Sequence, residues 1–363
     1  MNKRVSKFEL LRIIAMYLIV VHHSIIHGML NVSEKAYLLN HPVNLSASVI
    51  MELGGKIGVI IFVLITGYFM VYSQISLTKI LRIWLPIFFW SIFFYFLYCV
   101  STRSFSIFRF IKAVFPLLFN EYWFMTVYLF LYLLIPFLNE IIKKASSRKL
   151  RIYLLILGTI IVLSGFKGIF GGPTQIGSML LIFCYIYYLG ALMRIYDIFS
   201  YKNVINKIKF STIIVFLLYS LIIITLIIVG SNVRNLKFYI LAQKLAVSIH
   251  GLILIFIAFG IFVWIGSTNI GYHKSINKVA SLTFGIYIVS DNYYVRSLWN
   301  NFFHMNKIIS GTLLYVIFYI LIVSMTVFML SAILEYIRQV IFSNFEKKLI
   351  NELNKKIKFG EIK

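Results

Sequence analysis

Arg12 and His23 are the first two side chains in the sequence whose types and spacing suggest chemistry. Both belong to an apolar segment, predicted to be a helix over residues 8–28. Eleven residues turn an α-helix through about 1100°, so the two side chains share a face within about 20° and lie about 16 Å apart. An imidazole suits a general base for a hydroxyl nucleophile, and an arginine fork suits a phosphate or a carboxylate. A charged residue within a span is a functional hypothesis by default, although Arg12 could also anchor the helix at the headgroups.

Two further histidines flank this position. His22 is rotated about 100° from His23 and is expected to face elsewhere. His27 lies one turn beyond His23 on roughly the same side, which is a spacing that metal ligands use. No acidic or cysteine partner is evident nearby in the sequence, so we expect no metal. A packed or interfacial role for His23 remains the structural alternative.

The composition determines the kind of element that carries these residues. Of 363 residues, 61% are hydrophobic and only 13% are charged, whereas a soluble domain has about a quarter charged residues. The mean hydropathy of +0.92 agrees with lipid as the main solvent. The net charge of +24 does not indicate nucleic-acid binding, because the 35 Lys and Arg residues are scattered in small groups between apolar runs. Such groups set membrane topology and contact anionic lipid.

The apolar runs predict an all-α, polytopic membrane protein with about ten transmembrane helices, since a helix needs about 20 apolar residues to span the bilayer. The ninth run is the weakest because Asp291, Asn292 and Arg296 lie in its second half. The predicted spans are 8–28, 48–72, 84–101, 122–142, 150–166, 176–195, 211–230, 245–266, 279–298 and 311–338.

Lysine and arginine counts predict the orientation. If the N-terminus is cytoplasmic, the inside segments carry more than twice as many of these residues as the outside segments. This asymmetry favours a plasma-membrane protein with both termini in the cytoplasm.

Two segments outside the spans have helical patterns of their own. Residues 105–119 are apolar but contain Arg109 and Lys112, and we predict an interfacial or re-entrant segment. Residues 343–363 alternate apolar residues with lysines and glutamates, which is typical of a membrane-surface helix or of a solvated tail. The predicted organisation is a membrane-embedded domain over 1–340 followed by a basic amphipathic tail over 341–363.

Five short motifs occur in the order that one family shows. They read ELLRIIAMYLIVVHH, IFVLITGYF, KILRIWLP, YWFMTVYLFLYLLIP and GIYIVS. With these motifs the sequence resembles the integral-membrane acyltransferases of acyltransferase family 3, which O-acylate bacterial surface polysaccharides. The resemblance is good over 8–140 and continues in hydropathy to about 338. Thr66, Lys79 and Ser290 depart from the family pattern, whereas Arg12 and His23 match it.

The resemblance implies an acetyl-coenzyme A donor from the cytoplasm, with no metal, and a sugar hydroxyl as acceptor at the outer side. It implies His23 as general base or, less simply, as acyl carrier. Arg12, Lys79 and Arg82 would hold the phosphates of the coenzyme, because clustered Arg and Lys bind such groups. Without the resemblance, Lys79 and Arg82 would be attributed to positive-inside topology. No G-x-S-x-G nucleophile motif is present.

Five other residues are candidates with weaker support. Glu121 immediately precedes a predicted span and Trp123 lies at its start. Glu121 could orient His23 or bind a sugar hydroxyl, and Trp123 could stack on a sugar ring. Both are also ordinary boundary residues of a membrane protein. Glu52 and Lys56 are four residues apart and are expected to form an ion pair. Asp291, in the ninth predicted span, is like Glu121 either a functional residue or an ordinary boundary residue.

The sequence therefore predicts a membrane O-acetyltransferase acting on a cell-envelope or exported polysaccharide, or on a lipid-linked glycan. The alternative from another class is a flippase or exporter of lipid-linked or polymeric sugars. Transporters often contain paired repeats and broken helices in both halves, and no internal repeat is detectable here. Dependence on acetyl-coenzyme A would separate the two functions.

Overall fold

The computed structural model describes residues 5–169, 176–248 and 251–356, and within these ranges it is helical with no β-strand. The first helix, α1, continues beyond His23 as a π-helical segment over Ser24–Met29. The helices are α1 Ser6–His23, α2 Pro42–Met70, α3 Leu77–Thr102, α4 Ile107–Val114, α5 Trp123–Lys144, α6 Ser147–Ile169, α7 Ile176–Ile195, α8 Lys202–Asn232, α9 Leu236–Val247, α10 Leu252–Gly266, α11 Lys274–Ala280, α12 Thr283–Ser290, α13 Tyr293–Arg296, α14 Leu298–Asn301 and α15 Leu313–Lys356.

Six of these helices are long and apolar enough to cross a membrane: α1 with its π-helical extension, α2, α3, α5, α8 and α15. The bent pair α9 and α10 would make a seventh span. The chain is thus an all-α, multi-pass membrane protein, as predicted. Within the described ranges, the predicted number of about ten spans is not confirmed. Helix α7 is shorter than the six helices named above, and the ninth predicted span is broken.

Helix α2 is the central helix of the bundle and packs against both α1 and α7. Glycines permit the close approach to α7. A Cβ atom at Gly67 would lie 2.1 Å from the backbone oxygen of Tyr187, and one at Gly190 would lie 2.3 Å from the backbone oxygen of Leu64. Small residues at helix crossings are typical of membrane bundles. Gly67, which belongs to the IFVLITGYF motif, therefore serves packing between helices.

The ninth predicted span, 279–298, is broken into α12 and α13, with the end of α11 before them and the start of α14 after them. The break after α12 follows from Asn292, whose side chain accepts a hydrogen bond of 2.9 Å from the backbone N–H of Tyr294 and so caps α13. Such a cap satisfies a backbone donor that would otherwise lack a partner. As a result, Asp291 lies at a helix end inside the bundle, where it is only 2% exposed.

Both segments that were predicted to lie outside the spans contain helix in the described residues. The predicted interfacial segment contains α4, which exposes apolar side chains on one face, among them Ile107, Phe108 and Ile111. Helix α15 is continuous over Leu313–Lys356, so the predicted boundary between 340 and 341 lies within it. The last part of the predicted tail, 357–363, lies outside the described residues.

Candidate active site

The side chain of His23 lies at the end of α1, where the backbone changes to the π-helical segment. Such segments are rare and occur frequently at functional sites. The imidazole is 4% exposed and faces the C-terminal end of α12. Its Nδ1 is 3.4 Å from the hydroxyl oxygen of Ser290, and its Nε2 is 3.7 Å from Oδ1 of Asp291. Two consecutive residues, Ser290 and Asp291, therefore face the two ring nitrogens.

The carboxylate of Asp291 is the centre of a buried polar cluster. It accepts hydrogen bonds from the Tyr287 hydroxyl at 2.9 Å and from Arg296 at 2.8 Å and 3.2 Å. The Nε2 atom of His27 lies 3.4 Å from the same carboxylate. A buried charge is tolerated only when it is paired and hydrogen-bonded. Arg296 supplies the opposite charge, and the cluster fixes the carboxylate beside His23.

A cavity of about 160 Å³ opens beside this cluster. We call it the His23 cavity. It is lined by Ile19, His22, His23, Ile26, His27, Gly55, Lys56, Val59, Trp123, Tyr287, Asp291 and Arg296. Because these residues come from α1, α2, α5, α12 and α13, tertiary packing alone assembles the cavity.

Two of the lining residues, Lys56 and Trp123, contact each other. The Lys56 ammonium lies 4.3 Å from the centroid of the Trp123 ring, which is a cation–π geometry. The predicted Glu52–Lys56 ion pair is not formed among the described residues, where the Glu52 carboxylate oxygens have no hydrogen-bond partner. The structure thus brings the predicted substrate-binding Trp123 into one cavity with His23 and adds a cation.

His22 does not face away from this cavity, so that prediction is wrong. Its ring also lines the cavity, because α2 packs against the side of α1 on which His22 lies. Its Nδ1 is 3.0 Å from the backbone oxygen of Glu52. A Cβ atom at Gly55 would lie 2.3 Å from Cγ of His22, so the ring packs directly on α2. The Nδ1 atom of His22 therefore contacts the backbone of α2 rather than the cavity.

Arg12 lies at the other end of α1, about 16 Å from His23 along the axis. Its guanidinium pairs with Glu9 one turn earlier and is 29% exposed. It does not line the His23 cavity. The structure therefore separates the two matched residues of the first motif, as their spacing predicted.

Lys79 and Arg82 lie in the first two turns of α3. Ser76 caps this helix by accepting a hydrogen bond from the Lys79 backbone N–H, and the Lys79 ammonium donates to the backbone oxygen of Gln74 at 3.3 Å. Arg82 is exposed. Three residues apart on a helix, the two side chains share one face. Neither lines the His23 cavity.

Glu121 does not orient His23; Asp291 occupies that position. The Glu121 carboxylate instead pairs with Lys112 at 3.5 Å, because it precedes α5 and faces α4. Sequence reasoning gave Asp291 no more weight than Glu121 and assigned no role to Arg296. The available signal was an acidic residue within a predicted span, followed five positions later by an arginine.

Comparison with known proteins adds one finding to this geometry. The family model described as "Acyltransferase domain" matches residues 5–333. Searches of curated proteins and of solved structures returned no match. The described residues contain no group of three or more His, Cys, Asp or Glu side chains that could hold a metal ion.

Proposed function

The chain belongs to the acyltransferase family whose model covers residues 5–333, and on that premise we propose that it is a plasma-membrane O-acetyltransferase. It would move an acetyl group from cytoplasmic acetyl-coenzyme A to a hydroxyl of a cell-envelope or exported polysaccharide, or of a lipid-linked glycan. The observation that carries this proposal is the buried imidazole of His23, held between Ser290 and Asp291 at the wall of a cavity.

The hydrogen bonds around Ser290 support a neutral His23 that carries its proton on Nδ1. The Ser290 hydroxyl donates to the backbone oxygen of Tyr287 at 3.2 Å, so it accepts from Nδ1–H of His23. The lone pair of Nε2 is then free to take a proton. Once protonated, Nε2 faces the Asp291 carboxylate, which stabilises the imidazolium. In serine hydrolases a buried carboxylate also stabilises the imidazolium, but it contacts the ring nitrogen opposite the base, whereas Asp291 lies on the side of Nε2 itself.

The proposed reaction is a single acyl transfer. The acceptor hydroxyl gives its proton to Nε2 of His23 while its oxygen bonds to the thioester carbonyl carbon. The C–S bond then breaks, and the leaving thiolate takes the proton from His23, which restores the enzyme. Two cations line the cavity, and one of them, Arg296, is paired with Asp291. We therefore assign Lys56, which forms no ion pair with Glu52 among the described residues, to the negative charge that develops on the carbonyl oxygen.

The donor would bind at the opposite end of α1. Phe8 contacts Tyr68 and Phe69, so the first turns of α1 lie beside the end of α2 and near the start of α3. Arg12, Lys79 and Arg82 therefore belong to one end of the bundle. The phosphates of acetyl-coenzyme A would bind there, and its extended pantetheine arm would carry the thioester along α1 towards His23. The lysine and arginine distribution supports a cytoplasmic location for this end and for both termini.

Donor dependence is the direct test. Purified protein in lipid nanodiscs should release free coenzyme A thiol from acetyl-coenzyme A only when an acceptor glycan is present. The envelope polysaccharide of cells carrying the gene should show O-acetyl proton signals that are lost on its deletion. An exporter would instead change the amount of surface glycan without altering its acetyl content, and that outcome would contradict the proposal.

A further inference from the structure

A second cavity, of about 300 Å³, lies next to the His23 cavity. We call it the α4 cavity, because α4 forms one of its walls. Its lining includes Arg109, Lys112, Glu121, Tyr122, Asn292 and Tyr294. Aromatic walls with a few polar groups are typical of small-molecule sites, and the volume is at the lower end of their usual range.

The two cavities share one wall. Tyr122 and Asn292 line the α4 cavity, whereas their chain neighbours Trp123 and Asp291 line the His23 cavity. The Asn292 amide donates a hydrogen bond of 2.7 Å to the Tyr122 hydroxyl and joins the two sides of this wall. A ligand in the α4 cavity would therefore lie one residue layer from the proposed base.

The charged groups of the α4 cavity are two cations and one anion. Lys112 and Glu121 pair with each other at 3.5 Å, which leaves Arg109 as the uncompensated charge. The Arg109 guanidinium donates to the Tyr98 hydroxyl at 2.6 Å and stacks over the Tyr98 ring at 5.2 Å. A guanidinium has five N–H donors in a fork that matches a carboxylate or a phosphate. Arg109 is thus positioned by Tyr98 with donors left for a ligand.

The outer face of α4 indicates how a ligand reaches the cavity. Ile107 and Ile111 expose apolar side chains, whereas Arg109 and Lys112, together with Phe108, line the cavity. A short helix with one apolar and one basic face lies in the membrane interface. The α4 cavity would then open at the level of the lipid headgroups, where a membrane-attached glycan is presented.

We propose that the α4 cavity is the acceptor subsite and that Arg109 binds a carboxylate or phosphate of an anionic glycan acceptor. This inference rests on the proposed function for the reaction itself. Arg109 would fix the anionic group, and the lining aromatic side chains Tyr293 and Tyr294 would pack against the sugar ring. The acceptor chain would then extend from the α4 cavity into the adjoining His23 cavity, where its hydroxyl meets His23. The acidic group could belong to the sugar polymer or to the phosphate of a lipid carrier.

Binding of charge-matched probes tests this assignment without any acetyl transfer. The full chain in phosphatidylcholine nanodiscs is titrated with digalacturonate and with its uncharged dimethyl ester, which has the same sugar rings. In a second arm the nanodiscs contain polyprenyl phosphate or the uncharged polyprenol. We expect the wild-type protein to prefer at least one anionic probe roughly tenfold or more, which corresponds to one charge-assisted interaction.

Substitutions of Arg109 test whether this residue causes the preference for the anionic probe. Arg109→Gln should abolish it, and Arg109→Lys should weaken it because an ammonium cannot make the bidentate contact. Arg103→Gln is the matched control: it removes an exposed charge six residues away that does not line the cavity. A preference for digalacturonate alone would assign the anion to the polymer, and one for polyprenyl phosphate alone to the carrier. Equal binding of charged and uncharged probes, or an undiminished preference in both Arg109 variants, would overturn the proposal.

His23→Ala separates this inference from the proposed function. His23 does not line the α4 cavity, so the variant should bind the anionic probe as the wild type does. If wild-type protein binds the probe through Arg109 but never releases coenzyme A thiol, the proposed function fails and the anion site stands. If thiol release depends on His23 but probe binding ignores Arg109, the subsite assignment fails alone.

Discussion

Nε2 of His23 lies 3.7 Å from Oδ1 of Asp291, although the two residues come from near opposite ends of the chain. That separation is longer than a hydrogen bond but short enough for the carboxylate to stabilise a protonated imidazole. Catalytic contacts are often longer in a protein without substrate and tighten when it binds. Asp291 therefore supplies a fixed negative charge beside His23, the proposed base.

His23→Ala should abolish acetyl transfer in protein that is still inserted and folded, because loss of a positioned base costs about 10²–10⁴-fold. His22→Ala should retain most activity per folded molecule. It should instead lower stability, since the backbone oxygen of Glu52 loses its partner. Thiol release at matched protein levels measures the first effect and thermal unfolding the second. A dead His22→Ala beside an active His23→Ala would contradict the assignment.

Asp291→Asn should lower kcat by roughly 10²-fold or more while leaving the side-chain volume unchanged, because the neutral amide no longer stabilises the protonated His23. Affinity for acetyl-coenzyme A should change little, since Asp291 is far from the proposed phosphate site. Asp197→Asn is the control, as it removes an acidic residue outside the His23 cavity. Wild-type turnover in Asp291→Asn would show that the buried carboxylate is only structural.

Lys79→Ala and Arg82→Ala should raise KM for acetyl-coenzyme A more than they lower kcat. A phosphate contact remote from the reacting carbonyl supplies binding that is equal in the ground state and the transition state. Arg148→Ala and Lys149→Ala remove cations from another predicted cytoplasmic loop and should leave KM unchanged. Donor titrations of all four variants give the comparison. Equal KM values in all four variants would mean that Lys79 and Arg82 contribute only to membrane topology.

A cysteine at position 146 should be protected from an impermeant thiol reagent in intact cells, because the 143–151 loop is predicted to be cytoplasmic. Ser104→Cys, in the loop between α3 and α4, should react under the same conditions. Both variants are made in a background in which the free residues Cys99 and Cys184 are replaced by serine. Labelling at 146 with protection at 104 would invert the topology and the side from which the donor binds.

Gly67→Ala should destabilise the protein by roughly 1–3 kcal/mol, which is the usual cost of overpacking. The new methyl group would lie 2.1 Å from the backbone oxygen of Tyr187 and would push α2 and α7 apart. Gly271→Ala is the matched control, because nothing lies within 4 Å of its Cβ position. Thermal unfolding in detergent compares the two. Equal melting temperatures for the two variants would contradict the close packing of α2 and α7.

One part of the candidate site, the position of His23 on α1, was predictable from the sequence because it depends on local periodicity. The phase of α1 follows from 3.6 residues per turn, so the sequence alone placed Arg12 and His23 on one face and separated them along the axis. The same reasoning did not extend to His22. Its angle on α1 follows from the sequence, but whether that side of the helix meets the cavity depends on where α2 packs.

The sequence by itself determined that lipid is the main solvent, that the fold is all-α and which family the protein belongs to. Hydropathy and ordered motifs allow this because they are properties of neighbouring residues. Tertiary structure alone decided that Asp291 rather than Glu121 lies beside His23. It also placed Lys56 over Trp123 instead of pairing it with Glu52. The physical reason is that a contact between helices depends on their crossing angles and on the small residues that let backbones approach. These quantities are set by the whole bundle, and no single segment encodes them.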